Sequence, residues 1–245
     1  MSNNKLKKYL KRKLPDISGN KHCTPIIISD SKGNYLHDFV QTEIELELRW
    51  YCVKGRTAEQ GYIWLQQNID QLITRLQSIH IYIWLGTCDL TKYFHPFVSL
   101  SSCDDSKLQS VISVFHKYAE LVKSKPECHI TFLEIPTYSI YEWNKYRNHP
   151  NPAQFKKEDD QLITQVNKLN ELIRDLNSEI NTSQPSPVFS HDIFHNQEKT
   201  SKSKTYTIRQ SYNFTLYKDG IHPSENLAKV WLKKIALTVQ KDCWE

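Results

Sequence analysis

A serine, an aspartate and a histidine at separate places along the chain could together perform nucleophilic chemistry. Ser31 follows an apolar run, and Asp219 and His222 lie close together near the other end of the sequence. A serine hydroxyl is a weak nucleophile until a base takes its proton, and Ser, Asp, His is a known chain order for hydrolytic triads. The spacing of Asp219 and His222 lets a turn hold the carboxylate against one ring nitrogen, with the other directed towards a substrate. We therefore predict that Ser31 is a nucleophile, His222 its base and Asp219 the group that orients the base.

The residues before Ser31 indicate how it is positioned. Ile26, Ile27 and Ile28 are β-branched and suit a strand that is covered on both faces. Ser29, Asp30 and Gly33 are turn formers that end such a strand. Because ligands of open parallel sheets bind at the carboxyl ends of the strands, Ser31 is expected where chemistry can use it.

These residues and three further segments resemble the sequence blocks of the SGNH or GDSL hydrolases. Ser29-Asp30-Ser31 resembles the Gly-Asp-Ser block with its glycine replaced, and Gly55 resembles the oxyanion-hole glycine of the second block. Gly86-Thr87-Cys88-Asp89 resembles the third block, Gly-x-Asn-Asp, with Cys88 in place of the asparagine. Residues 219–222, followed by a proline, resemble the last block, Asp-x-x-His. The four segments occur in the family's order and span nearly the whole chain.

The resemblance implies a serine esterase that needs no cofactor and no metal and acts on a small ester by acyl transfer to Ser31. The oxyanion would be held by the backbone donors of Ser31 and Gly55, with Cys88 at the position of the family's asparagine, which donates an amide hydrogen bond. Since a thiol is a poor donor, weak activity is expected. We also expect four residues in or beside the blocks and in a long aromatic segment to contact substrate: Asp30, Asp89, Tyr138 and Trp143.

The fold implied by the resemblance is an α/β, three-layer α/β/α sandwich with a parallel, flavodoxin-like five-stranded sheet of order 2-1-3-4-5. The apolar pattern agrees with it, because strand-like runs alternate with segments of helical period. Strands are predicted at residues 25–29, 46–53, 79–85, 128–135 and 187–190. Helices are predicted at residues 33–42, from Thr57, from Asp104 and Asp105, over 162–180 and from Pro223.

Length and composition fit one domain at residues 21–245, preceded by a basic flexible tail at residues 1–20. The chain has 245 residues, of which 39% are hydrophobic, enough for one sizeable core. No apolar run approaches membrane-spanning length, and no signal peptide is recognisable, so an intracellular, cytoplasmic or nuclear location is expected. The six cysteines have no close paired spacing, which predicts reduced thiols and neither a zinc site nor a disulfide framework.

The net charge of +5 comes from the tail, which holds six basic residues and no acid within residues 1–15: Lys5, Lys7, Lys8, Lys11, Arg12 and Lys13. A basic arm of this kind can bind nucleic acid or act as a nuclear-import signal, and it can equally be a solvated tail that aids solubility.

Two further hypotheses remain open from the sequence. The chain could be a binding module on the same fold whose catalysis has decayed, and Cys88 favours this alternative. Such a module would recognise nucleic acid or a protein through its aromatic segment and the basic residues within 199–209. By analogy, similar esterase-like domains occur in proteins encoded by retrotransposons. A phosphate-binding protein using residues 29–33 is disfavoured, because the glycine pattern of a P-loop or dinucleotide site is missing.

Overall fold

The computed structural model describes residues 2–17, 19–182, 185–201 and 204–244, and within 196–210 it describes the backbone alone. The strands are β1 (Thr24–Ser29), β2 (Arg49–Cys52), β3 (Ile79–Trp84), β4 (Thr91–Phe94), β5 (Phe97–Leu100), β6 (Cys128–Phe132), β7 (Phe194–Ser201) and β8 (Lys204–Tyr212). The helices are α1 (Asn3–Leu10), α2 (Ser31–His37), α3 (Glu43–Glu47), α4 (Ala58–Leu76), α5 (Thr87–Leu90), α6 (Ser106–Lys123), α7 (Ile140–Tyr146), α8 (Lys156–Glu179) and α9 (Glu225–Cys243). Short 3₁₀ helices are formed by Pro152–Phe155, Ser190–Asp192 and Phe214–Leu216.

The central sheet of the described residues has four parallel strands in the order β2-β1-β3-β6. This confirms a parallel sheet, and its order matches the first four strands of the expected order. β1 lies in the interior and pairs with β2 on one side and β3 on the other. Three of its residues, Ile26, Ile27 and Ile28, have no exposed surface. Ser31 therefore follows a strand that is paired on both edges and buried.

The fifth strand expected at residues 187–190 is not formed. Residues 185–189 have no regular structure, and Ser190–Asp192 is a 3₁₀ helix. Pro185 and Pro187 have no N–H groups to donate to a strand ladder, which explains the difference. The segment nevertheless lies beside the end of β6, because the Glu134 N–H donates to Ser186 Oγ at 2.7 Å.

Helices cover both faces of the sheet, as the α/β class requires. Trp84 of β3 packs on Trp231 of α9, with ring centroids 6.1 Å apart. Phe132 of β6 is in register with Ile83 and so faces the opposite side from Trp84. There it stacks on Phe115 of α6 at 4.8 Å. The core therefore has two layers, one on each side of the sheet.

The boundaries of two predicted elements near β2 were wrong. The helix predicted at residues 33–42 is α2, which covers only Ser31–His37. Leu46 was predicted to begin the next strand but belongs to α3. α3 forms because Thr42 and Glu45 make a capping box, in which each side chain accepts from the other's backbone N–H. By contrast, the capping box predicted from Thr57 and Gln60 is present at the start of α4.

Two antiparallel hairpins, β4-β5 and β7-β8, were not predicted. The β4-β5 hairpin is fixed to α7 through the side chain of Asn144. Its Oδ1 accepts from the Val98 N–H at 2.9 Å, and its Nδ2 donates to the Val98 carbonyl at 2.7 Å. This brings the segment after the third sequence block next to the aromatic segment that contains Trp143.

The N-terminal segment contains a packed helix, and its flexibility stays a prediction. α1 lies against α9, and Leu6 is fully buried. Lys233 of α9 donates to the carbonyls of Tyr9, Leu10 and Arg12 just beyond this contact. The six predicted basic residues are all exposed, so nucleic-acid contact through them stays a prediction. Among the described helices, none is long and apolar enough to cross a membrane.

Candidate active site

Ser31 is the first residue of α2, directly after the turn that ends β1. Asp30 caps this helix, and its Oδ1 accepts from the Lys32 N–H at 2.8 Å. As the first helical residue, Ser31 has no intrahelical acceptor for its own N–H. The Val53 N–H donates to the Ser29 carbonyl at 3.1 Å and so ties the segment after β2 to the same turn. Ser31 thus lies at the carboxyl edge of the sheet, as its sequence context predicts.

The structure brings Ser31, His222 and Asp219 into one hydrogen-bonded chain. Ser31 Oγ lies 3.0 Å from His222 Nε2, and His222 Nδ1 lies 2.7 Å from Asp219 Oδ2. With Asp219 ionised, Nδ1 carries the ring proton, and Nε2 is left to accept from the serine hydroxyl. Ser31 is partly exposed, whereas His222 and Asp219 are buried. An imidazole is therefore within hydrogen-bond reach of the serine hydroxyl, and a carboxylate contacts its other ring nitrogen.

Asp219 is held by its own turn as well as by the imidazole. Its Oδ1 accepts from the N–H groups of His222 at 2.7 Å and Ile221 at 3.1 Å. Burial acts to raise the pKa of Asp219, but the hydrogen bonds from His222 and Ile221 and the attraction to His222 outweigh it, so the pKa lies below its ordinary value. The carboxylate therefore stays ionised opposite the imidazole.

Gly220 allows this turn to pack tightly against α7. Its φ is +91°, and a Cβ at this position would lie 2.7 Å from the backbone nitrogen of Trp143. Its carbonyl accepts from the Ser139 N–H at 2.9 Å. A side chain here would both strain the backbone and displace the start of α7. Gly220 therefore helps to hold Asp219 and His222 in place.

Gly55 lies in the turn after β2, with φ +76° and open space where a Cβ would stand. Among the hydrogen bonds of the described residues, none is donated by its N–H. The turn is joined to the Ser29–Ser31 region through Val53, so a free backbone donor is available on this side of the site. This placement is compatible with the oxyanion role implied by the sequence, which stays a prediction.

Cys88 lies in α5, next to the turn that carries Ser31. Its Sγ is 3.6 Å from Asp30 Oδ2, within the range of a weak S–H donor. Burial, followed by the nearby Asp30 charge, raises the pKa of the Cys88 thiol well above its ordinary range. Cys88 is therefore a neutral thiol directed at Asp30, and an ionised nucleophile at this position is not expected.

Sequence reasoning missed a buried ion pair beneath the serine. Lys32 and Asp30 are each 1% exposed and form a close contact between Nζ and Oδ2. Lys32 Nζ also donates to Thr87 Oγ1 at 2.6 Å and lies 5.4 Å from the centre of the Trp84 ring. The group links the first and third sequence blocks. The sequence around Lys32 could not predict its burial, because the burial depends on Thr87 as well as on Asp30.

Asp30, Asp89 and Tyr138, which were expected to contact substrate, each hold neighbouring elements in place, and their contacts with substrate stay predictions. Asp30 serves as the helix cap and ion-pair partner described above. Asp89 accepts from the Ala58 N–H at 3.0 Å and so fixes the start of α4. Burial raises the pKa of Asp89 to about 6. Tyr138 is 1% exposed and donates to the Thr87 carbonyl at 2.7 Å, and its contact with substrate stays a prediction.

Trp143 and Tyr35 both contact the His222 ring. The Trp143 ring centroid is 5.8 Å from that of His222, and its Nε1 donates to the Pro96 carbonyl at 3.1 Å. Tyr35 stacks on the imidazole at 4.4 Å. Tyr35 was missed, although it lies one helical turn after Ser31 and therefore on the same face of α2. The His222 imidazole thus contacts two aromatic side chains.

The comparisons with known proteins agree with this fold. No family model matches the chain, and no curated protein matches it in sequence. Solved structures do match it. A GDSL-like lipase from Bacteroides thetaiotaomicron has a TM-score of 0.55 at 13% identity, covering 89% of this chain and 87% of the lipase. A lipase/acylhydrolase from Enterococcus faecalis has a TM-score of 0.51 at 15% identity, covering 88% and 95%.

An acetylxylan esterase from Geobacillus stearothermophilus also matches, with a TM-score of 0.51 at 14% identity, covering 92% of this chain and 96% of the esterase. This chain therefore shares its fold with a GDSL-like lipase, a lipase/acylhydrolase and an acetylxylan esterase, which agrees with the fold that the four sequence blocks imply. The likeness spans nearly the whole chain and each of these neighbours.

Proposed function

We propose that the protein is a serine esterase of the SGNH type. The observation that supports this most directly is the continuous hydrogen-bonded chain from Ser31 Oγ through His222 to Asp219, with distances of 3.0 and 2.7 Å. It lies at the carboxyl edge of a parallel sheet, where ligands of such folds bind. Esterases and acylhydrolases among the structural neighbours agree with the same chemistry.

In the proposed reaction, Ser31 Oγ attacks the ester carbonyl carbon while His222 Nε2 takes the hydroxyl proton. Asp219 stabilises the imidazolium that forms. The proton then passes to the leaving alcohol, and an acyl group remains on Ser31. Water, deprotonated by His222, attacks the acyl carbon, and the proton returns to Ser31 as the acid leaves.

The oxyanion of each tetrahedral intermediate would be stabilised by the backbone donors of Ser31 and Gly55. Cys88 stands at the third donor position, but its thiol is a poor donor and is directed at Asp30 Oδ2. A missing oxyanion donor typically costs about 10²- to 10³-fold in rate. We therefore expect a reactive serine with slow turnover.

The substrate would reach Ser31 past the aromatic side chains beside His222. The β4-β5 hairpin adds Tyr93 and Phe94, which are 61% and 41% exposed. These rings suit an apolar or sugar-like part of a small ester.

The alternative is a binding module on the same fold, and Cys88 is the observation that favours it. A binding role would not require the hydrogen bond from His222 to Asp219 or the one between Ser31 and His222, both of which are formed. Nucleic-acid contact, an intracellular location and a retroelement setting stay predictions. The basic residues expected to assist binding within 199–209 have side chains outside the described part of the structure.

The test is labelling with a fluorophosphonate probe, mapped by mass spectrometry, together with turnover of a short-chain aryl ester. Wild type should be labelled on Ser31, and Ser31→Ala and His222→Ala should lose both labelling and turnover. Ser110→Ala and His116→Ala, exposed on α6, are matched controls and should behave as wild type. If folded wild type shows neither labelling nor turnover, or if Ser31→Ala keeps both, the proposal is wrong and the binding-module alternative is preferred.

A further inference from the structure

Three potential metal ligands meet at the edge of the sheet opposite Ser31. The ligand atoms of Cys23, His80 and Cys243 all lie within 4.8 Å of one another, and all three residues are buried. Cys23 directly precedes β1, His80 is the second residue of β3, and Cys243 is the last residue of α9. The cluster therefore joins the amino ends of two central strands to the end of the C-terminal helix.

We propose that Cys23, His80 and Cys243 form a binding site for Zn²⁺. Two thiolates and an imidazole are ligands that Zn²⁺ prefers, with bond lengths of about 2.3 Å to sulfur and about 2.0 Å to nitrogen. Around a tetrahedral ion, such ligand atoms are about 3.5 to 4 Å apart, so small side-chain adjustments would bring these three into coordination. This site is separate from the proposed esterase site and shares no residue with it.

The charges of the ligands also favour Zn²⁺ binding. Binding removes a proton from each thiol, and the two thiolates then neutralise Zn²⁺. The complex carries no net charge, which suits ligands that are 0–4% exposed. The protons are released to solvent, and no oxidant or reductant is involved.

The surroundings hold the proposed ligands in place. His80 Nε2 lies 2.9 Å from Thr131 Oγ1, and metal-bound histidines usually keep their second ring nitrogen in such a hydrogen bond. The His22 N–H donates to the Cys243 carbonyl at 3.0 Å, which fixes the end of α9 beside the start of β1. Cys23 Sγ lies 3.7 Å from the Asp242 carbonyl.

A fourth ligand can come from the adjoining cavity. This cavity has a volume of about 970 Å³, and its wall includes His80 itself together with His22, His129 and Asp242. It can hold water, and a water molecule would complete the tetrahedral coordination of three protein ligands. We place the fourth ligand on the side of the three residues that faces the cavity. The ion would tie the end of α9 to the sheet, with one coordination position facing the cavity.

The sequence expectation of no zinc site rested on the lack of close cysteine spacing. Cys23, His80 and Cys243 are distant in the chain and come together only through the parallel pairing of β1 with β3 and the packing of α9. A spacing rule cannot detect such a site, because each ligand belongs to a different element.

The first test is Co²⁺ binding to the full-length protein, purified with reductant. Wild type should bind about one Co²⁺ per chain and show the near-ultraviolet thiolate charge-transfer band and tetrahedral visible bands, which Zn²⁺ should abolish by displacement. Cys23→Ser and Cys243→Ser should lose most of the charge-transfer intensity, and His80→Gln should weaken Co²⁺ binding by at least about tenfold. Cys128→Ser is the matched control, since Cys128 is buried in the wall of the same cavity and is not one of the three ligands.

A second measurement needs no variant and therefore does not depend on variants folding. In urea just below the unfolding transition, where transient opening exposes buried thiols, Zn²⁺ should protect Cys23 and Cys243 of wild type from alkylation by N-ethylmaleimide, as mapped by mass spectrometry, while exposed Cys103 stays reactive. Equal alkylation of Cys23 and Cys243 with and without Zn²⁺ would overturn the proposal. So would a Co²⁺ spectrum without thiolate bands, or a Cys23–Cys243 disulfide in the reductant-treated protein.

Discussion

The ring of Tyr35 stacks on the imidazole of His222, with centroids 4.4 Å apart and planes inclined by 24°. Tyr35 lies on α2 one turn after Ser31, so the same short helix carries the proposed nucleophile and one wall of its base. A second aromatic contact to His222 is made by Trp143, with centroids 5.8 Å apart. His222 is therefore oriented by two aromatic contacts in addition to Asp219.

Replacing Tyr35 should reduce catalysis through the orientation of His222. An aromatic pair of this kind contributes about 0.5–1.5 kcal/mol, so Tyr35→Ala should lower kcat/KM about two- to tenfold. Tyr35→Phe keeps the ring and serves as the control, with activity close to wild type. The measurement is kcat/KM for an aryl ester. If Tyr35→Ala and Tyr35→Phe are equally impaired, the hydroxyl and not the stack is responsible.

Cys88→Asn should raise the turnover number. The amide would restore a good donor near the developing oxyanion, and we expect at least about a tenfold gain, below the full value of such a donor because the site is built around a smaller side chain. Cys103→Asn, at an exposed cysteine, is the control and should not change turnover. A fully active wild type that is slowed by Cys88→Asn would mean that another group supplies the third donor.

Lys32→Met should destabilise the protein strongly, because it leaves the Asp30 carboxylate buried and unpaired. Removing one partner of a buried ion pair typically costs about 3–5 kcal/mol in the free energy of unfolding. The double variant Asp30→Asn with Lys32→Met removes both charges and should recover a large part of this loss. Urea unfolding measures the change.

Lys125→Met is the matched control for the Lys32 experiment, since Lys125 forms a surface ion pair with Asp70 and its removal should change stability little. The interpretation of Lys32 fails if the double variant is no more stable than Lys32→Met alone.

Asp89 should make the protein less stable as the pH rises from about 4 to about 6. Burial raises the pKa of Asp89 to about 6 in the folded protein, from an unfolded value of 3.8. Between these values the folded state binds more protons than the unfolded state, so stability falls with rising pH. Asp89→Asn keeps an oxygen acceptor for the Ala58 N–H and should flatten this part of the curve.

The measurement for Asp89 is the melting temperature of wild type and Asp89→Asn across this pH range. Asp159 also has a raised pKa of about 6, and Asp159→Asn is the matched control that reports its separate contribution. Parallel curves for wild type and Asp89→Asn would contradict the prediction.

The sequence by itself determined the elements whose signals are local. Three consecutive isoleucines specify a strand buried on both faces, and the polar residues after them specify that the strand ends just before Ser31. The capping box of Thr57 and Gln60 is formed because it needs only residues three apart. The spacing of Asp219 and His222 is likewise local, and it produces the 2.7 Å contact that was expected.

The tertiary structure decided the features that depend on residues far apart in the chain. Lys32 is buried because Asp30 and Thr87 both accept hydrogen bonds from its ammonium group. Tyr138 is buried because its hydroxyl donates to the Thr87 carbonyl. Leu6 is buried because α1 packs against α9, which lies more than 200 residues further along the chain. A local pattern gives no measure of such contacts, since the free energy of burying a polar or apolar side chain is set by the partners that the complete fold places around it.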